Sequence, residues 1–142
     1  VDAVLVAKDE AWPIQTLWTR EDDIKMGYYR PMTLSKAKMA VDEKGNIIAF
    51  KADIINQSLT KGTLFESMMF KDGIDETQRE GLETHPYKIS SHDLKAFCPS
   101  SPIPVLWLRS VGHTVSAPIV ENIIDQAAIA SNLDTINFRI KK

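Results

Sequence analysis

The sequence predicts an α+β domain: an antiparallel, hairpin-rich sheet packed with a long C-terminal amphipathic helix. Three observations lead there. A glycine turn, "DEKGN", joins two apolar-rich segments, the arrangement of a β-hairpin. A stripe of Ile119, Val120, Ile123, Ile124, Ala127 and Ala128 recurs at helical spacing, which marks one face of a helix. Strands and helices do not alternate in the regular βαβ order of a parallel α/β sheet.

Taken in order, residues 2 to 9 set Ala3, Val4, Val6 and Ala7 on one side of a short helix. Trp12-Pro13 ends it, because proline disfavours helix at the residue before it. "IQTLWT", 14 to 19, is short, apolar and partly β-branched, and is expected to be a buried strand. "REDDIKMGYYRP" is dense in charge and closes on Gly27 and Pro31, a loop or helical turn. The hairpin follows. Ser35, Ala37, Met39 and Val41 alternate, imperfectly, with Leu34, Lys36 and Lys38, and Gly45 supplies a positive φ in the turn. The return strand carries Ile48, Phe50, Ala52 and Ile54 on one face.

Residues 58 to 86 are less regular. "TLFESMMF" suits a helical turn or a strand, and Asp75 is placed to cap the polar segment after it. From Tyr87 onward, strand-like pieces are broken by Pro99, Pro102 and Pro104. In the final helix Pro118 is expected in the first turn, where its missing N–H costs nothing, and Asn132 is the stop. Asp134 caps one more turn, "TINFRI", closed by Arg139, Lys141 and Lys142 in keeping with the helix dipole. The whole is expected to be a single domain, 1–142.

Composition excludes several classes. With 142 residues, 44% hydrophobic and 25% charged, the chain has enough apolar material for a core without staples. A net charge of −2 with no clustered basic face gives no nucleic-acid footprint. No apolar run reaches membrane-spanning length, and residues 1 to 13 lack the basic start of a signal peptide. No compartment is indicated. Cys98, the single cysteine, reads as a small packed hydrophobe rather than a reactive thiol.

Candidates for chemistry are few. Asp22-Asp23 beside Glu21 lack the spacing of a calcium loop and read as a solvated charged loop. His85, His92 and His113 fit no zinc spacing, and His85 and His92 read as loop histidines. Ser110 has no Gly-x-Ser-x-Gly elbow around it. That leaves Arg109, Ser110, Val111, Gly112 and His113, where an apolar run turns into the last helix. Gly112 allows close approach of a ligand to the backbone, and a helix N-terminus offers N–H donors and positive potential. Two readings stay open: a seat for an oxyanion, a phosphate or a metal-oxo group, or a plain strand-to-helix turn with Arg109 in a structural ion pair.

The order of segments is more specific than any motif. "LWTREDDIKMGYYRP", "AVDEKGNIIAFKADII", "EGLETHPYKI", "WLRSVGHTVSAPIVENIIDQAA" and "INFRI" together resemble the molybdenum-binding large subunit of the xanthine dehydrogenase/aldehyde oxidase family, and within it the isoquinoline 1-oxidoreductase beta-subunit branch. "WTREDD" and "RSVGH…VE…ID" are the specific anchors, and residues 58 to 78 match poorly. The resemblance implies a fragment of a molybdenum hydroxylase, an oxidoreductase that hydroxylates N-heterocycles or aldehydes with water as the oxygen source. It implies molybdopterin as cofactor of the intact enzyme, an iron–sulfur subunit as electron acceptor, and a loop at Arg109–His113 facing the cofactor. The wider family has Phe-Arg-Gly-Phe-Gly there. Here Ser110 and Val111 stand in place of the first glycine and the second aromatic. The chain opens on Val1 without Met. It lacks the family's glycine-rich segment before "DAVLVAK" and everything after "FRIKK", including the glutamate base. It is therefore expected to be an interior slice whose partner is the remainder of the molybdenum subunit. It is expected to self-associate through exposed apolar surface, to hold no cofactor of its own and to be inactive alone. The rival expectation is a small non-catalytic anion-binding or interaction module.

Overall fold

The computed structural model describes residues 2–141; Val1 and Lys142, the last of the predicted basic residues at the chain's end, lie outside the described residues. Two short helices come first, α1 (Asp2–Ala7) and α2 (Arg20–Met26). The hairpin is β1 (Thr33–Val41) and β2 (Ile47–Asn56). A helical turn, α3 (Glu66–Met69), leads into the two-residue strands β3 (Phe70–Lys71) and β4 (Ile74–Asp75) and a 3-10 turn, Glu76–Gln78. Then come β5 (His92–Phe97), the long helix α4 (His113–Ala130) and α5 (Thr135–Lys141).

The main sheet has the order β1-β2-β5. β1 and β2 pair antiparallel, as the hairpin turn dictates. Gly45 sits at φ 73, and Asp42 closes the turn by accepting the backbone N–H groups of Lys44 and Asn46. β5 adds to the other edge of β2 in parallel, which is possible because 35 residues separate the two strands (91 − 56) and give the chain room to cross over.

The core lies between this sheet and α4. Phe50, Ala52 and Ile54 face Val120, Ile124, Ala127 and Ala128, with Leu82 and Phe138 closing the ends. Each fully buried large side chain among them contributes about 1.5–3 kcal/mol. Ile48, expected on this face, is exposed, and Ile47 takes its place. The cause is a register shift. Val41 pairs with Ile47 and Ala40 with Ala49, so Ile48 has no partner and the alternation slips by one.

Other expectations fail for equally local reasons. Residues 14 to 19 form no strand: Leu17 is 83% exposed and Trp18 53%. Thr19 instead begins α2, accepting the Asp22 N–H at its hydroxyl while Asp22 takes the Thr19 N–H, a capping box. The charged segment is therefore a helix. The Asp22 carboxylate completes the capping box of Thr19, and no metal-holding cluster of three ligands exists among the described residues. Pro118 lies at the sixth residue of α4, not in its first turn, because the helix starts at His113. It removes a helical donor toward Thr114. The stop and cap beyond α4 are as expected. Asn132 is left-handed at φ 55, and Asp134 accepts the Asn137 N–H at 2.9 Å.

Candidate functional site

The corner between residues 105 and 113 is held from several sides. Tyr29 and Val105 form a parallel bridge, with Tyr29 N donating to Pro104 O at 3.0 Å and Leu106 N to Tyr29 O at 3.1 Å. This bridge carries Arg30 to the start of α4, where its guanidinium donates to the Thr114 hydroxyl at 2.8 Å. That hydroxyl donates to the Arg109 carbonyl at 3.2 Å. Arg30, Thr114 and Arg109 thus form a chain of contacts joining segments 84 residues apart.

At the turn itself, Ser110 and Val111 have φ of 72° and 45°. Side chains rarely adopt this left-handed backbone, and a β-branched one least of all. Gly112 has an ordinary helical φ of −64°, so it is not glycine for its torsion. It is glycine for space: a Cβ there would stand 2.1 Å from the Thr77 carbonyl oxygen and 2.8 Å from the Glu80 Cβ. The close approach that this glycine permits is to the chain's own 3-10 turn.

The amides divide accordingly. Gly112 N donates to Glu80 Oε2 at 2.8 Å, Val111 N to Leu108 O at 3.0 Å and His113 N to Ser110 O at 2.9 Å. His113 Nδ1 lies 3.6 Å from the same Glu80 oxygen. The inner amides are therefore used within the fold. Outward, the exposed Arg109 guanidinium makes no hydrogen bond or ion pair among the described residues, so the expected structural ion pair is absent there. The Ser110 N–H and hydroxyl are likewise unengaged among them, on an exposed residue. The outward set consists of donors beside the positive end of an 18-residue helix. Such a set fits the oxygen-rich edge of an anionic cofactor; it offers no ligand that could hold a metal by itself.

Behind the corner, Thr77 is positioned by Asp75. This fully buried carboxylate accepts from Ser58 Oγ, Leu59 N, Thr60 N and Oγ1, and Thr77 N and Oγ1. Burial pushes its pKa up, but the hydrogen bonds from Ser58, Thr77 and Thr60 outweigh that and hold it below the usual carboxylate value. Gln78 completes the predicted cap by accepting the Asp75 N–H at 3.0 Å. Burial pushes the Cys98 thiol pKa up.

A family model, the molybdopterin cofactor-binding domain, matches residues 1–142. The chain belongs to that family. It is also 23% identical to the isoquinoline 1-oxidoreductase subunit beta of Brevundimonas diminuta, over an alignment covering 99% of this chain and 18% of that subunit. Molybdopterin is thus the cofactor of the intact enzyme, and the chain spans about a fifth of the relative it matches. No helix among the described residues is long and apolar enough to cross a membrane. Sequence reading missed Arg30, Thr77, Glu80 and Thr114 as parts of this corner. Only the Asp75 cap signalled order in the middle segment, and contacts across 32 and 84 residues leave no mark in local spacing.

Proposed function

We propose that this chain forms one wall of the molybdopterin site in a larger molybdenum hydroxylase of the xanthine dehydrogenase/aldehyde oxidase family. The reaction is hydroxylation of an N-heterocycle or aldehyde with water as the oxygen source. Arg109, Ser110, Val111, Gly112 and His113 face the cofactor in unequal roles. Arg109 and Ser110 supply the donors; Val111, Gly112 and His113 hold the turn rigid through their internal bonds. The observation carrying this reading is the exposed Arg109 guanidinium, free of partners among the described residues beside the α4 N-terminus. A planar fork of five N–H donors suits a polyoxygen anion, and the helix end adds to its field.

The bound cofactor supplies the redox centre at which the substrate carbon is hydroxylated. The chain's own part is to orient that group and stabilise its negative charge. A wall by itself would have to assemble donors, a base and an electron acceptor at once, so the isolated chain is expected to be inactive. Its partners are the remainder of the molybdenum subunit and an iron–sulfur subunit. Supporting this is the amount of apolar surface left uncovered: α1 has no buried residue, and Trp12, Leu17, Met26 and Met32 are each more than 75% exposed. Such surface fits docking against other protein.

The test is Arg109→Ala in the complete subunit, with molybdenum and pterin content measured beside turnover. Loss of cofactor content or turnover, with the subunit folded, is expected. Unchanged content and turnover would refute the assignment. Stoichiometric molybdenum and activity in the purified 142-residue chain would refute the claim of inactivity.

A further inference from the structure

His85 and His92 read in the sequence as loop histidines. Instead their Nε2 atoms lie 2.9 Å apart, and His92 is the first residue of β5. The ring centroids are 5.1 Å apart, about the nitrogen gap plus one ring radius on each side. The rings therefore meet head-on, nitrogen to nitrogen. Two lone pairs would repel at this distance, and so would two N–H groups. The contact is favourable only with one proton between the nitrogens, one ring donating and the other accepting.

The pair also has a defined place in the fold. Phe50, 1% exposed and central to the core, is met edge-on by both rings, at 6.1 and 6.2 Å. Phe50 pairs with His92 in the sheet register, and its N–H donates to Ser91 O at 2.9 Å. The pair thus ties the segment leading into β5 down over the core. Other ionisable groups nearby are already committed: Asp93 to Lys51 at 2.6 Å, and Tyr87 to Glu121 at 2.8 Å. A metal bridge does not fit, since zinc sits about 2.0–2.1 Å from each nitrogen and the head-on gap is 2.9 Å.

We infer that His85 and His92 act as a one-proton latch, closed while a single proton lies between their Nε2 atoms and opened when a second proton binds. Closed, it holds residues 85 to 92 against Phe50. Open, two facing N–H groups repel and the segment lifts. Burial, and then the charge of His92, push the His85 pKa down, so the second proton is resisted. The folded value lies below the unfolded one of about 6.5. The latch therefore contributes fully above that pH, and its contribution is lost as pH falls through the folded value.

The test is a pH titration of the imidazole nitrogens by NMR on the intact chain, with hydrogen-exchange protection of the Phe50 amide followed alongside. The expected result is coupled titration in two steps, the second displaced to acid, with Phe50 protection lost at that second step. In His92→Gln the amide can still bond His85 without a second imidazole charge, so Phe50 protection should persist through the acid range. If that variant does not fold, the wild-type titration decides alone. Two independent, ordinary histidine titrations would overturn the latch, and so would stoichiometric zinc bound at the pair.

Discussion

The Glu80 carboxylate accepts the Gly112 backbone N–H at 2.8 Å, so a donor at the mouth of α4 is satisfied by the chain itself. This contact fixes the direction in which the corner can act. Inward, it is closed by Glu80 and Thr77; outward, it offers Arg109 and Ser110.

Removing that acceptor should loosen the corner. Glu80→Ala leaves a part-buried N–H unpaired and should lower stability by about 1–2 kcal/mol, while Glu80→Gln retains an acceptor and should lose less. Gly112→Ala should be worse than either, by about 1–3 kcal/mol, because its Cβ meets a backbone oxygen at 2.1 Å that cannot move aside. Urea denaturation of the three variants checks the order.

Ser110 carries the φ of 72° at a position where the resembled family has glycine. Ser110→Gly should relieve left-handed strain and raise stability by roughly 0.5–1 kcal/mol. Calorimetric melting measures it, and a drop in melting temperature would contradict the strain argument.

Asp75 should set the acid limit of the middle segment. Its folded pKa is depressed, so its contribution is complete above the unfolded value of about 3.9 and is lost as pH falls through the folded value. Asp75→Asn places an NH2 among donors and should destabilise on the order of 3 kcal/mol near neutrality. The acid-unfolding midpoint of the variant should lose its dependence on this group.

Arg139 joins α5 to α4, donating from Nε to Glu121 at 3.0 Å and from Nη1 to Asp125 at 2.5 Å. Hydrogen bonds to Asp125 and then Glu121 hold its guanidinium firmly in the charged form. Arg139→Lys cannot reproduce this fork and should lower the melting temperature. The difference from wild type should shrink in high salt, because the carboxylates are about half exposed.

Self-association should follow from the uncovered apolar residues. Leu17→Ser and Met32→Ser, at positions 83% and 84% exposed, should shift sedimentation toward monomer with little change in melting. An unchanged distribution would mean that this surface does not mediate association.

The hairpin, the long helix, the Asp75 and Asp134 caps and the Asn132 stop were legible because each is written in residues within a few positions of one another. The unpaired Ile48 was not, because a bulge depends on two strands rather than one alternating pattern. Residues 14 to 19 misled through composition: their apolar side chains lie exposed, so strand-like residues signalled surface and not pairing. At the corner, Arg109 to His113 stood out by the glycine before the helix. Its inner wall did not, since Glu80 and Arg30 arrive from distant segments. Likewise nothing in the spacing of His85 and His92 announces that their rings meet.

The β2 strand pairs with a neighbour reached through a five-residue turn and with another reached only after 35 intervening residues. These two events belong to different clocks. Closing the short turn takes on the order of microseconds, whereas docking β5 must first overcome the entropy of a far larger loop. The hairpin can therefore assemble early, and half of the central strand must wait, bare, for its second neighbour. Pairing of β5 with β2 should therefore be slower than closure of the hairpin.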